Sequence, residues 1–367
     1  MKKKLLILAN SDSAIFKFRS ELIDALTEYF EIGIGIPFGV YIDDIKNDKY
    51  ELFDIPINRH GMNPLEDLKL MKKYENLIKS FSPDVVLEYT IKPNLYGSMV
   101  CAKLGIPCLC NITGLGSALE HPGKLQKLLI LMYRKAMKKV NTIFFQNKYG
   151  REFFRKHKIG SEQQYYMLPG SGVNVNKFLP IEFPSGDTVK YLFVARVIKE
   201  KGIDEFLYTA KRFHDEGLNA EFHICGACEE AYQDLLNQLN DSGIVIYHGL
   251  VKDMRQMYAM ASCVVLPSFY PEGQSNVLLE GAASARPLIT TDHPGCREAV
   301  DNGETGFLVE PRNADDLYLK TKAFYDLDIA EKIKMGEKGR DKVVSQFDRN
   351  IVINAYKERL DKLGLLN

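Results

Sequence analysis

Short apolar runs alternate with longer amphipathic stretches along most of the chain. In the first half, the runs predicted as buried strands are KLLILAN, EIGIGIP, DVVLEYT, PCLCNIT and TIFFQN. The stretches between them, such as RSELIDALTEYF and EDLKLMKKYENLIKSF, have the apolar periodicity of helices. Near-continuous apolar strands joined through helices are typical of a parallel sheet covered on both faces. The alternation therefore predicts an α/β fold.

A polar segment, LPGSGVNVNKFLPIEFPSGD at residues 168–187, interrupts this alternation once. The pattern then resumes with VKYLFVAR, NAEFHICG, GIVIYHG, CVVLPSF and RPLITTD. A chain of 367 residues is also too long for one compact core. We therefore expect two doubly wound, Rossmann-like domains in tandem, residues 1–180 and 181–348. Because ligands bind beyond the carboxyl ends of strands in such sheets, we expect the functional site in a cleft between the two.

The formal charge is zero, but its distribution is uneven. Residues 1–180 contain 26 Lys and Arg against 18 Asp and Glu, and the remainder contains 22 against 30. The excess of positive charge predicts that the first half meets an anionic partner. Seven cysteines without a disulfide pattern indicate a cytoplasmic protein, and we interpret the Cys225–Cys228 pair as structural.

Two cations follow the first predicted strand of the second half. Arg196 ends YLFVAR, and Lys201 lies five residues further along, at the start of the next helix. The two side chains can converge on one anionic group, although they also fit a solvated surface. Glycine-bearing turns end the neighbouring strands, with Gly226 in HICGACEE and Leu250 in YHGLVKDM. Such turns let a ligand approach the backbone closely.

A pair of glutamates brackets the start of a predicted helix in PEGQSNVLLEGAASARPLITTD. Glu272 precedes the helix, which we expect to begin near the N-cap residue Ser275, and Glu280 lies within it. The free amides at that helix start can hold a phosphate. A nucleotide-sugar would then place its ribose at Glu280, its diphosphate at the amides and its sugar hydroxyls at Glu272. The predicted donor contacts are Glu280, Gly273, Gln274, Ser275, Asn276, Val277, Gly226 and Leu250. The spacing alone also fits a surface glutamate and one stabilised by the helix dipole.

These stretches, together with ARVIKEKGIDEFL and NGETGFLV, resemble glycosyltransferase family 4, whose members are retaining enzymes of the GT-B fold. Glu272 and Glu280 match the family's E-x7-E motif, and Arg196 and Lys201 match its diphosphate-binding cations. The resemblance implies a metal-independent enzyme with Glu272, Arg196 and Lys201 as catalytic residues. Charge on the leaving diphosphate would be stabilised by the helix amides and the two cations. The last helix, FDRNIVINAYKERLDKL, resembles the family helix that returns to the first domain, so residues 349–367 are assigned there.

Three loops of the first half, SDSAIFKFRSELIDAL, EYTIKPNLYGS and CNITGLGSALEHP, follow predicted strands and should bind the acceptor. The candidate contacts are Arg19, Lys92, Asn94, Thr113, Gly114, Gly116 and Ser117. TIKPNLYG and TGLGS resemble the subgroup that builds bacterial capsule, O-antigen and glycoprotein glycans on a polyprenyl diphosphate. That resemblance implies a UDP-sugar donor and a lipid-linked saccharide acceptor. The histidine and Gly-Gly that many relatives carry in these loops are absent, and we interpret His121 as structural.

Basic residues are concentrated in the segment 124–158. Residues 121–158 contain eleven Lys and Arg against the single acid Glu152, and KLQKLLILMYRKAMKKV adds a broad apolar surface. This combination predicts a helix on an anionic membrane surface, and an ordinary domain helix is the alternative. We expect a peripheral protein at the inner face of the cell membrane. No nucleic-acid motif accompanies the charge, so no nucleic-acid partner is expected.

The sequence analysis thus predicts a glycosyltransferase that moves a hexose or N-acetylhexosamine. Two alternatives stay open: a sugar-nucleotide epimerase or hydrolase on the same architecture, and a nucleotide-sugar-binding protein without activity.

Overall fold

The computed structural model describes residues 2–58 and 63–366, which form two compact units. Unit 1 comprises Met1–Ser171 with Asn350–Asn367, and unit 2 comprises Gly172–Arg349. The boundary expected from the sequence, between residues 180 and 181, therefore lies inside unit 2. The segment 172–180 belongs to unit 2 because Val173, Val175 and Phe178 are buried in its core.

Unit 1 contains one parallel sheet with the strand order β3-β2-β1-β4-β5-β6-β7. Its strands are β1 (Lys3–Leu8), β2 (Phe30–Ile36), β3 (Tyr50–Asp54), β4 (Val85–Tyr89), β5 (Cys108–Ile112), β6 (Thr142–Phe145) and β7 (Tyr165–Met167). The five strands predicted from apolar runs are present. Every residue of β4, β5 and β6 is buried, as expected where helices cover both faces of a sheet.

Unit 2 contains a second parallel sheet, with the order β10-β9-β8-β11-β12-β13. The strands are β8 (Val189–Val194), β9 (Ala220–Cys225), β10 (Ile246–Gly249), β11 (Cys263–Leu266), β12 (Leu288–Thr291) and β13 (Gly306–Val309). In each sheet the chain first adds strands on one side of its first strand and then continues on the other side. The strand order therefore switches between β1 and β4 and between β8 and β11. Ligands bind at such switch points in open α/β sheets, so each sheet has one expected site. The predicted fold class is confirmed.

The helices of unit 1 cover the unit 1 sheet, and the last of them is the C-terminal helix. They are α1 (Asp12–Phe18), α2 (Ser20–Leu26), α3 (Ile42–Ile45), α4 (Pro64–Phe81), α5 (Ser98–Leu104), α6 (Ser117–Glu120), α7 (Lys124–Ala136), α8 (Lys148–Lys156) and α15 (Arg349–Asp361). Helix α4 begins with Pro64 and is capped by the Asn63 side chain, which accepts a hydrogen bond from the Leu65 amide. In α15, Val352, Tyr356 and Leu360 are buried in the unit 1 core.

Helices also follow the strands of unit 2. They are α9 (Ile203–Asp215), α10 (Glu230–Asp241), α11 (Arg255–Met260), α12 (Asn276–Ala283), α13 (Ala314–Asp326) and α14 (Ile329–Phe347). Gly202 precedes α9 with φ of 77°, and a Cβ there would lie 2.2 Å from the Pro267 carbonyl oxygen. Glycine is therefore required for α9 to begin this close to β11.

Arg286 is a fully buried cation in unit 2. Its guanidinium lies within 3.5 Å of five backbone carbonyl oxygens, those of Tyr258, Ile181, Glu182, Ala285 and Ala259. Burial lowers its pKa to about 10, so it stays charged at neutral pH. The carbonyl dipoles replace water around the charge and attach the segment at residues 181–182 to the unit 2 sheet.

We predict that Arg286→Met lowers the free energy of unfolding by about 3 kcal/mol, because several buried carbonyls lose their donor. Calorimetric unfolding would measure the change. Arg255→Met is the matched control, since Arg255 is an exposed side chain paired with Asp253, and it should change the free energy by less than about 0.5 kcal/mol. Equal effects of the two substitutions would contradict a supporting role for Arg286.

Candidate functional site

Strand β8 delivers two cations to its carboxyl end. The chain leaves β8 at Val194, pairs the Ala195 amide with the Cys225 carbonyl, and forms a short helical turn at Lys199–Lys201 before α9. Arg196 and Lys201 both lie near the ring of Tyr270, with the Arg196 guanidinium carbon 5.8 Å and the Lys201 Nζ 4.9 Å from its centroid. The structure thus brings the two predicted cations to one aromatic ring.

Lys201 also contacts Glu272, the first glutamate of the predicted motif. The two side chains are only 14% and 17% exposed, so this ion pair is largely shielded from water. Arg196 is more open, with its Nη1 3.9 Å from Glu229 Oε1. Sequence positions 71 residues apart therefore meet at the carboxyl ends of β8 and β11.

Burial lowers the pKa of Lys201 to about 8. The positive charge of Arg196 acts in the same direction, and the Cys296 thiol acts against it. The Glu272 carboxylate in contact with Nζ favours the charged form. Lys201 is therefore a cation at neutral pH whose charge is held by its neighbours and not by water.

The N-terminus of helix α12 follows Glu272 closely in the chain. Its N-cap residue, Ser275, is 2% exposed and makes no side-chain capping bond, and its own amide donates to the Gly295 carbonyl at 2.8 Å. Gly295 has φ of 91° and allows that close approach. The first amides of a helix have no intrahelical acceptor, and here no side chain caps them. The predicted anion site at Asn276 and Val277 would use these backbone amides.

Gln274 lies between Glu272 and the helix cap and is 5% exposed. Within the described part of the chain, neither its Nε2 nor its Oε1 has a hydrogen-bond partner, and Asn276 Oδ1 also has none. Buried polar atoms without partners cost free energy unless a ligand or water satisfies them. We therefore expect the side-chain amides of Gln274 and Asn276 to form hydrogen bonds with a polar ligand at the start of α12. Gly273 is buried beside them.

Glu280, the second glutamate of the motif, is held by Tyr258. The Tyr258 hydroxyl donates to Glu280 Oε2 at 3.0 Å and lies 3.4 Å from the Val277 carbonyl. Burial raises the pKa of Tyr258 well above its usual range, and the Glu280 charge adds to this effect. The phenol stays a donor and fixes the carboxylate on the helix.

The ends of β9 and β10 complete this edge of the sheet. Gly226 has φ of 148°, and a Cβ there would lie 1.7 Å from the Ala195 carbonyl oxygen, so only glycine fits beside the Arg196 turn. Its amide donates to the Gly249 carbonyl, and its carbonyl accepts from the Tyr247 hydroxyl at 2.9 Å. Leu250, the next residue after β10, has a strongly exposed side chain.

In unit 1, the candidate acceptor residues lie on the segments that follow β1, β4 and β5. Lys92 Nζ is 2.9 Å from Asp67 Oδ1, with Lys92 half-buried and Asp67 buried, so this ammonium already has a carboxylate partner. Asn94 is buried and donates to the Asn111 carbonyl, while its Oδ1 has no partner among the described residues. Thr113, Gly114 and Gly116 are half-buried in the loop after β5, which leads into α6 at Ser117. Their acceptor role stays a prediction.

Three residues that contact the predicted site residues are not predicted from the sequence. Tyr270 directly precedes the motif stretch, and this position is the signal that indicates it as the aromatic beside the two cations. Tyr258 and Asp67 lie on helices far along the chain from their partners, and nothing in their local sequence indicates them. His121 is exposed.

Among the described residues, one group has ligand atoms close enough to hold a metal ion: Glu88, Cys101 and Cys108, within 4.8 Å of one another. All three are buried in the unit 1 core, and burial raises the pKa of Glu88 well above its usual range. Ser98 and Cys110 donate hydrogen bonds to the same carboxyl group. None of the predicted donor or acceptor residues belongs to this group.

Comparison with known proteins identifies both halves. Residues 4–147 match the family described as glycosyl transferase 4-like, and residues 188–326 match glycosyl transferases group 1. Campylobacter jejuni N,N'-diacetylbacillosaminyl-diphospho-undecaprenol alpha-1,3-N-acetylgalactosaminyltransferase is 25% identical over 97% of this chain and 98% of that protein. UDP-Gal:alpha-D-GlcNAc-diphosphoundecaprenol alpha-1,3-galactosyltransferase of Escherichia coli is 23% identical over 92% of this chain and 88% of that protein.

Solved structures show the same fold. HepE of Anabaena, in complex with UDP and glucose, has a TM-score of 0.80 at 16% identity, with 98% of this chain and 100% of that chain covered. A glycosyltransferase from Rickettsia africae has a TM-score of 0.79 at 19% identity and covers 99% of each chain. The two halves of the chain match two glycosyltransferase families in tandem, and the fold is GT-B. The chain therefore belongs to the glycosyl transferases of the 4-like and group 1 type and is a glycosyltransferase.

Proposed function

We propose that this enzyme transfers a sugar from a UDP-sugar to a polyprenyl-diphosphate-linked saccharide, with unit 2 binding the donor and unit 1 the acceptor. The activities of the two relatives support this substrate pair, since both act on an undecaprenyl-diphosphate sugar and the Escherichia coli enzyme uses UDP-Gal. Transfer of a hexose or an N-acetylhexosamine fits both names. The product would be an intermediate of a bacterial surface polysaccharide or glycan.

One observation carries the donor assignment: Lys201 and Glu272 meet at the uncapped start of α12, beside the unpartnered amide of Gln274. A cation and free amides suit a diphosphate. A carboxylate and a carboxamide suit the hydroxyls of a sugar. The groups for a diphosphate and the groups for sugar hydroxyls lie at the same helix start, which matches a sugar attached to a diphosphate. The Glu280 carboxylate, four residues beyond Asn276, suits the ribose.

The mechanism would be electrostatic. As the bond between the sugar and the diphosphate stretches, negative charge grows on the leaving oxygens. Lys201, Arg196 and the first amides of α12 would stabilise that charge, and the shielding of Lys201 from water would increase its effect. Glu272 neutralises Lys201 without a ligand, and the diphosphate would take over this role when the donor binds. Glu272 would then be available for the sugar hydroxyls.

Two further features belong to the proposal. We infer retention of the anomeric configuration from the resemblance of the E-x7-E motif. We also infer that no metal ion takes part, because two cations and a helix start together supply the positive charge that a divalent ion would otherwise provide.

Helix α7 supports a peripheral membrane location. Leu129, Ile130, Tyr133 and Ala136 pack in the unit 1 core, so part of the apolar surface predicted for lipid faces the protein instead. A second stripe, Leu125, Leu128 and Leu131, is exposed. The exposed cations of the same segment flank it: Lys124, Lys127, Arg134, Lys135, Lys138 and Lys139. Exposed leucines among lysines are typical of a helix at an anionic lipid surface. The described helices include none that is long and apolar enough to cross a membrane.

A transfer assay tests the function directly. UDP-sugars and GDP-sugars would be offered with polyprenyl-diphosphate sugars, and products would be read by mass spectrometry with NMR for the anomeric configuration. We expect a product only with a UDP-sugar and the lipid-linked acceptor, in the presence of EDTA. Complete turnover of the UDP-sugar without an acceptor would instead indicate an epimerase or hydrolase, and UDP binding without turnover an inactive binding protein.

We predict that Glu272→Gln lowers transfer by on the order of 100-fold or more while UDP binding survives, because the amide cannot act as a charged acceptor for the sugar hydroxyls. Glu280→Ala should instead weaken UDP binding by roughly tenfold through the lost ribose contact. Isothermal calorimetry measures UDP binding and initial rates measure transfer, so the two effects can be separated. An unchanged UDP affinity in Glu280→Ala, or transfer within a few-fold of the parent in Glu272→Gln, would refute the respective role.

We predict that UDP affinity falls as the pH rises through about 8, because Lys201 then loses its proton. Below this pKa the ammonium is charged and the affinity is level. Above it, the dissociation constant should rise roughly fivefold between pH 8 and pH 9. Lys201→Arg should remove this dependence, since a guanidinium stays charged, so an equal pH profile in both proteins would assign the effect elsewhere.

We predict that charge reversal at Lys135 and Lys138, or replacement of Leu128 and Leu131 by serine, releases the enzyme from vesicles containing anionic lipid. Co-sedimentation would measure this. Charge reversal should lose its effect at high salt, whereas the serine variant should not. Lys211→Glu, a reversal at an exposed lysine on α9 of unit 2, is the control. Retention of all variants on the vesicles would show that α7 is an ordinary domain helix.

A further inference from the structure

Arg19 is a buried cation between two helices of unit 1. It lies between the last residue of α1 and the first residue of α2, and it is 4% exposed. A guanidinium carries five N–H donors and stays charged in proteins. In most proteins a charge buried to this extent is paired with a carboxylate or enclosed by acceptors.

The partners of Arg19 satisfy only a small part of that requirement. Its Nη1 donates to the Phe18 carbonyl at 3.1 Å, and its guanidinium carbon lies 4.7 Å from the centroid of the Tyr89 ring. Across the described residues, no carboxylate lies within ion-pair distance of it. The carboxyl end of α1 and the ring offset some of the cost. Arg286, by contrast, is surrounded by five carbonyl oxygens. The remaining N–H groups of Arg19 therefore have no acceptor among the residues that the structure describes.

The segment that begins at Tyr89, the ring that Arg19 contacts, contains further polar groups without partners among the described residues. Tyr89 is the last residue of β4, and β1 and β4 flank the switch point of the unit 1 sheet. Thr90 follows with φ of 73°, a strained conformation for a β-branched residue, and its buried Oγ1 has no partner in the described structure. One turn further, Asn94 Oδ1 is also buried and unpartnered. Strain and unsatisfied polar atoms together at a switch point mark a place where a ligand completes the structure.

We propose that Arg19, with the Thr90 hydroxyl, binds the diphosphate of the lipid-linked acceptor. The inference rests on the proposed function and deepens it. A guanidinium presents paired N–H groups that match the oxygens of a phosphate group, and a hydroxyl is a suitable second donor. The donor diphosphate has its own cations in unit 2, so this site in unit 1 is assigned to the second diphosphate of the reaction. Asn94 Oδ1 would then accept a hydroxyl of the sugar attached to it.

Arg19→Met tests the proposal with two acceptors that carry the same saccharide, one linked through a polyprenyl diphosphate and the other as an alkyl glycoside. We expect kcat/KM for the diphosphate acceptor to fall by on the order of 100-fold and that for the glycoside by less than about threefold. The KM for the UDP-sugar and the affinity for UDP should not change. Equal losses with both acceptors would overturn the proposal, because a residue that only positions the loop would affect both.

Stability provides a readout that needs no transfer. A cation without a carboxylate partner contributes little to folding, so Arg19→Met should keep or raise the unfolding temperature, whereas Arg286→Met should lower it. With saturating UDP present to occupy unit 2, farnesyl diphosphate should raise the unfolding temperature of the parent and not of Arg19→Met. Farnesol, which lacks the diphosphate, is the control for binding through the lipid tail.

The outcomes separate the two levels of the proposal. If the parent transfers to no lipid-linked acceptor but farnesyl diphosphate stabilises it through Arg19, the proposed function fails and the anion site stands. If transfer occurs and farnesyl diphosphate stabilises the parent and Arg19→Met equally, the anion site fails and the function stands. A loss of stability in Arg19→Met as large as that in Arg286→Met would show a structural arginine and overturn the proposal. Arg19→Lys, which keeps the charge but not the paired donors, should bind the diphosphate with intermediate affinity.

Discussion

Parallel strands bring all their carboxyl ends to one edge of a sheet, and the proposed donor site depends on this constraint. Lys201 follows β8, Gly226 follows β9, and Glu272 follows β11, so three distant parts of the chain reach the same edge. The switch of strand order between β8 and β11 leaves room there, because the connections leave in opposite directions. Gly202 and Gly226 then permit backbone approaches that a Cβ would block.

The two units handle buried positive charge in different ways. In unit 2, Lys201 contacts Glu272, and a diphosphate would compete with this carboxylate for the ammonium. In unit 1, Lys92 is likewise paired with Asp67, whereas Arg19 contacts a carbonyl and an aromatic ring and has no carboxylate partner among the described residues. The charge of Arg286 is compensated in a third way, by surrounding carbonyl oxygens. A cation's partners, more than its burial, thus distinguish a structural role from a binding role.

Much of the architecture was predictable because apolar runs report directly on buried parallel strands. Strands β3, β7 and β13 were not predicted, since each is a short strand at the edge of its sheet and is only partly buried. The donor motif was predictable because Glu272, Gln274, Ser275 and Glu280 lie within one stretch. Contacts such as Tyr258 with Glu280 depend on tertiary packing and leave no local pattern. On α7 the sequence indicated a wide apolar surface, but only packing shows that Leu129 faces the core and Leu128 does not.

The missing capping bond of Ser275 has a consequence for protein engineering. A helix start without a side-chain cap is an obvious target for stabilisation, and aspartate would be the usual replacement. Here such a change would put a permanent negative charge where the substrate phosphates are proposed to bind. A more heat-resistant variant made this way would repel its own donor, so thermostability design in this enzyme should leave this helix terminus untouched.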